Sequence, residues 1–88
     1  MEQSIPVDVI SVCSADGSIR PLRFQMEDEN HQLLRVNIDK IISSKQTEYI
    51  GMEGYLFRCN ATVWGKTWLF ELRYVIRSHS WNLVRRLH

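Results

Sequence analysis

The chain has 88 residues, room for one domain and one core, and its 44% apolar and 24% charged content is that of a soluble globular protein, which excludes disorder. No stretch approaches the roughly 20 apolar residues of a membrane helix, and Met1-Glu2-Gln3-Ser4-Ile5-Pro6 lacks the regions of a signal peptide, so the cytoplasm is expected. Net charge is +1, but residues 1–54 hold five Lys/Arg against nine Asp/Glu and residues 55–88 six against one, a split that either steers an acidic partner or draws the two halves together.

From the N-terminus, Ala15-Asp16-Gly17-Ser18 is the first turn signal, with Asp-Gly suited to a tight hairpin. That turn sets Val9 opposite Phe24 and Val7 opposite Met26. Pro21 has no N–H to give a ladder, so its strand is expected at an edge or a bulge there. The polar cluster Glu27 to Gln32 turns the chain again, and Leu34, Val36 and Ile38 come to face Met26, Phe24 and Leu22. Asp39 could cap a short helix through Lys45, yet Ile41, Ile42 and Thr47 favour extended structure, and a bent strand is the expectation. Gly51 and Gly54 bracket a connection into a strand beginning at Tyr55.

The clearest periodicity follows. Phe57, Cys59, Ala61 and Val63 alternate with Arg58, Asn60 and Thr62, and Trp68, Phe70, Leu72, Tyr74 and Ile76 alternate with Leu69, Glu71, Arg73, Val75 and Arg77. A two-residue turn at Trp64-Gly65 sets Ala61 opposite Trp68, Cys59 opposite Phe70, Phe57 opposite Leu72 and Arg58 opposite Glu71. Phe70 is then buried and Glu71 faces solvent. Gly65 takes positive φ readily but Trp64 resists it, which leaves a type II turn or a longer loop open. A turn at His79-Ser80 would place Ile76 opposite Leu83 and Ser78 opposite Trp81, with a last strand from Trp81 to Leu87. About six short strands with one apolar face predict a single all-β domain: a small, partly open antiparallel barrel or two-sheet meander, of which the SH3-like barrel is one form.

The sequence offers no catalytic constellation. Cys13, His31, His79 and His88 are the candidates for nucleophile and base, with His31 and His79 in turns and His88 the last residue, and no third group converges on them. Cys13 and Cys59 fit no metal or redox spacing and are expected reduced, Cys59 as a buried small hydrophobe. Glu27-Asp28-Glu29 lacks the alternating ligands of a calcium loop, and Gly51-Met52-Glu53-Gly54 has neither the lysine nor the helix start of a phosphate cradle. No enzyme, cofactor or metal is expected.

What the register does produce is an outward patch on the last three strands. Leu56, Arg73 and Arg86 fall in one row, Val75 beside Val84 in the next, Arg77 beside Asn82 beyond, with Leu69 and Arg58 on the same face and Trp64 at the hairpin tip. Arginine mixed with exposed aliphatics is the composition of a recognition surface.

Three stretches, Asp16-Gly17-Ser18-Ile19-Arg20-Pro21-Leu22-Arg23-Phe24, Leu69-Phe70-Glu71-Leu72-Arg73-Tyr74 and Trp81-Asn82-Leu83-Val84, resemble small uncharacterised bacterial all-β proteins of about this length. The resemblance implies a stand-alone protein and carries no activity, cofactor or binding residue. The expected function is therefore a non-enzymatic interaction module that self-associates or binds a protein through its C-terminal hairpins. The alternative is a single-stranded nucleic-acid binder using Arg58, Arg73, Arg77, Arg85 and Arg86, with Trp64 as a stacking platform. Its near-neutral total charge weighs against that alternative.

Overall fold

The structure, a computed structural model, describes residues 4–87, and of Tyr49 and Leu87 the backbone alone. The readings of Met1 to Gln3 as part of a leaderless N-terminus and of His88 as a terminal histidine lie outside the described residues. The fold is all-β. Strands β1 (Ile5–Pro6), β2 (Asp8–Cys13), β3 (Ile19–Glu27), β4 (Leu33–Tyr49), β5 (Met52–Val63), β6 (Lys66–Val75) and β7 (Ser80–Leu87) form one antiparallel sheet in the order β1-β7-β6-β5-β4-β3-β2.

The sheet curls into a half-barrel, a small open β-barrel in kind. Its two outermost strands are consecutive in sequence. Ile5 and Pro6 pair with Leu83 and Asn82, the Val7 amide donates to the Trp81 carbonyl at 3.1 Å, and from Asp8 the chain pairs with β3. One extended N-terminal segment thus reaches both edges of the sheet. Pro6 sits where an edge strand tolerates a missing N–H.

The central hairpin has the register that its hydrophobic period demands: Cys59 lies opposite Phe70, Ala61 opposite Trp68, Phe57 opposite Leu72 and Arg58 opposite Glu71. Its turn is the tight two-residue kind, with φ of +50° at Trp64 and +77° at Gly65. Ile50 and Gly51 repeat the conformation, at +52° and +74°, between β4 and β5. A large side chain held there costs about 1–2 kcal/mol. Phe24 and Phe70, from opposite halves of the sheet, meet edge to face at 5.2 Å, and around them pack Val36, Phe57, Cys59, Leu72, Tyr74, Trp81 and Leu83.

β2 and β3 keep Val9 opposite Phe24, and the ladder slips by one residue beyond Ile10, where Ser11 faces Pro21. The β3–β4 ladder ends at Arg23 opposite Asn37, so the expected pairing of Leu22 with Ile38 is not made and Leu22 is exposed. Residues 39–49 and 52–54 are extended rather than helical: β4 runs unbroken to Tyr49, bent by register shifts after Ile38 and Ile41. β5 begins at Met52, three residues before the expected Tyr55.

The last turn differs more. Val75 pairs with Ser80, so the loop is the four residues Ile76 to His79, closed by the His79 amide on the Ile76 carbonyl at 3.3 Å. Ile76 and Ser78 therefore leave the ladder and do not meet Leu83 and Trp81. The longer loop brings Tyr74 opposite Trp81, their rings 4.9 Å apart, and the Tyr74 hydroxyl hydrogen-bonds His79 Nδ1 at 3.0 Å.

Candidate functional site

Two rows of side chains cross the outward face of β4 to β7. In the first, Ser43 faces Arg58, Arg58 faces Glu71 and Glu71 faces Arg85; in the second, Lys45 faces Leu56, Leu56 faces Arg73 and Arg73 faces Asn82. Arg58 Nε donates to Glu71 Oε2 at 2.9 Å and Arg85 Nε donates to Oε1. Glu71 does not face solvent as expected: only 3% of it is exposed, because the two arginines fold over it from either side. Burial pushes its carboxyl up, but the guanidiniums of Arg85 and Arg58 outweigh this and hold it below the usual glutamate range. The rows enclose a cleft of about 390 Å³ lined by Lys45, Leu56, Arg58, Glu71, Arg73, Val84, Arg85 and the two serines Ser43 and Ser44. Four basic groups against one carboxylate leave it a formal charge of +3.

Val84 is the extra residue of a bulge in β7, since Leu72 faces Leu83 and Glu71 faces Arg85. A bulge reverses the faces beyond it. Arg86 therefore turns inward, opposite Phe70, with its guanidinium carbon 4.5 Å from the Trp68 ring centroid.

The nine patch residues expected from sequence are accordingly divided. Leu56, Arg58, Arg73 and Val84 share the outer cleft, although Val84 is buried. Arg73 faces Asn82, not Arg86, so the expected row of Leu56, Arg73 and Arg86 does not form. Val75 lies beside Ser80 rather than Val84, and Arg77 stands exposed in the last turn rather than beside Asn82. Leu69, paired with Asn60, is half-buried and outside the cleft. Trp64 and Arg86 belong to a second recess at the mouth of the barrel, about 350 Å³, with Met26, Leu34, Val63, Trp68 and Phe70 as its apolar lining and Glu27, Asp28, Glu29 and Asn30 on its rim.

Sequence reasoning missed Glu71 and Lys45 in the cleft, and the rim carboxylates in the mouth. One signal was present: Glu71 is the single acidic residue among residues 55–88, amid six basic ones. Among the described residues no group of three His, Cys, Asp or Glu side chains is placed to hold a metal ion, and no helix is long and apolar enough to cross a membrane. Cys13 and Cys59 are free thiols, and burial pushes that of Cys59 up to about 11.

No family model, curated protein or solved structure matches the chain.

Proposed function

We propose that the protein is a non-enzymatic interaction module whose outward face on β4 to β7 binds an acidic segment, from a partner protein or a second copy. The observation that carries this reading is the convergence of Lys45, Arg58, Arg73 and Arg85 on one cleft around the lone carboxylate of Glu71. Arg58 and Arg85 each give Glu71 an Nε–H, which fixes both side chains across the cleft. Donors held in place lose little freedom on binding, and Leu56 and Val84 provide a floor for an apolar side chain between carboxylates. Both free thiols suit a reducing compartment, so a cytoplasmic location belongs to the same reading.

The nucleic-acid alternative needs arginines and Trp64 along one track. Trp64 and Arg86 line the other recess and Arg77 lies in a turn, so the acidic-segment reading is preferred.

Fluorescence anisotropy with a labelled peptide of glutamates around one leucine tests it. Binding is expected at low salt and should weaken as salt rises, and Lys45→Glu, an exposed change, should weaken it about tenfold, roughly 1.4 kcal/mol. No binding at low salt, or equal binding by Lys45→Glu, would contradict the reading.

A further inference from the structure

The mouth recess combines features that the fold does not require. Its floor is apolar, from Met26, Leu34, Val63 and Phe70, while its rim sets Glu27, Asp28 and Glu29 against Arg86, a formal charge of −2. At its lip stands Trp64, 78% exposed and at φ +50°, in a turn position that asparagine or glycine fills without strain. Trp68 beside it is already flanked by Arg86 at 4.5 Å and Lys66 at 5.9 Å. Ile50 shares the conformation and exposure of Trp64 but lines neither recess; Trp64 alone of the two joins strain and exposure to a cleft.

We infer that this recess is a second binding site, opposite in charge to the outer cleft, for a peptide segment carrying a large apolar side chain next to lysine or arginine. The apolar side chain fills the floor and Trp64 closes over it. Glu27 and Glu29 take the flanking cations. Asp28 is committed to its own turn, where its carboxylate accepts the amides of Asn30 at 2.8 Å and Gln32 at 3.0 Å. A volume of about 350 Å³ suits one large side chain and its neighbours. The two recesses share no lining residue, so this site stands or falls apart from the acidic-segment reading.

The probe is a labelled synthetic peptide with one phenylalanine between pairs of lysines, beside a control with glutamates in place of the lysines. The wild-type protein and Lys45→Glu should bind the lysine peptide alike. Trp64→Asn should bind it at least tenfold more weakly while its thermal midpoint rises, by on the order of 5 °C, because the turn is relieved of strain. Glu27→Lys combined with Glu29→Lys should weaken binding likewise at unchanged stability. The inference is overturned if the wild type does not bind the lysine peptide or binds both peptides equally, if Trp64→Asn binds as the wild type does, or if Trp64→Asn is destabilised, which would make the indole a structural part of the hairpin.

Discussion

Glu71 shows how a neighbour's length decides burial. Its strand position points outward, yet the stems of Arg58 and Arg85 cover it, so removing its charge sets two guanidiniums against each other across β6. Both arginines keep nearly half their side chains in water, 47% and 43%, which moderates the repulsion. Glu71→Gln should therefore cost about 1–3 kcal/mol in denaturant unfolding, less than a wholly buried pair. The carboxyl is held below its ordinary range in the folded state, so its stabilisation is complete above the ordinary glutamate pKa and disappears as pH falls through the folded value. The gap between wild type and Glu71→Gln should close accordingly in acid. Phe70, one residue back and 1% exposed, should cost roughly 3–5 kcal/mol on truncation to alanine. Thiol titration at neutral pH should find Cys13 reactive in the native protein and Cys59 only after unfolding, because Cys59 is fully buried and its thiol is raised to about 11. Alternation alone located Phe70 and Cys59. It could not locate the burial of Glu71, since period two assigns a side chain to a face and says nothing of what closes over it.

At the level of elements, the turns separate what was legible from what was not. Asp-Gly and Trp-Gly each mark a hairpin because glycine accepts positive φ, and at Trp64-Gly65 the register follows from the apolar sets on either side. At Asp16-Gly17 the turn is longer than two residues, Cys13 pairs with Ile19, and the slip after Ile10 is what returns Val9 to Phe24. The last turn resisted the same reasoning for a geometric reason. A two-residue turn at His79-Ser80 and the observed four-residue loop differ by an even shift, so both put the same residues inside. The choice between them rests on contacts across strands, Tyr74 on Trp81 and on His79, which no local pattern reveals. The bulge at Val84 then divided the expected arginine patch by turning Arg86 inward. Gly54 shows how tightly β5 and β6 approach: a Cβ there would lie 2.1 Å from the Tyr74 carbonyl oxygen. Gly54→Ala should thus force the ladder apart near Val75, destabilising by about 1–3 kcal/mol or more, and thermal unfolding followed by circular dichroism would measure it.

For the molecule as a whole, sequence order and sheet order agree except where the N-terminal segment returns to β7. That contact joins distant parts of the chain through a two-residue strand, whereas β5 and β6 are flanked on both sides. Native-state hydrogen exchange should therefore show slowest exchange in β5 and β6 and fastest in β1. The charge split seen in the sequence also acquires a shape: the basic half supplies the three arginines of the outer cleft, which Lys45 joins from the first half, and the acidic turn of the first half forms the rim of the mouth. The split was readable from composition, but its division into two recesses depended on the bulge and on the curl of the sheet. Whether the cleft around Glu71 receives acidic segments can be read residue by residue from the amide spectrum of isotopically labelled protein titrated with the glutamate peptide. Shifts are expected to concentrate at Ser43 to Lys45, Leu56 to Arg58, Arg73, Val84 and Arg85; shifts confined to Glu27 to Asn30 and Trp64, or none at low salt, would show that the cleft does not receive acidic segments.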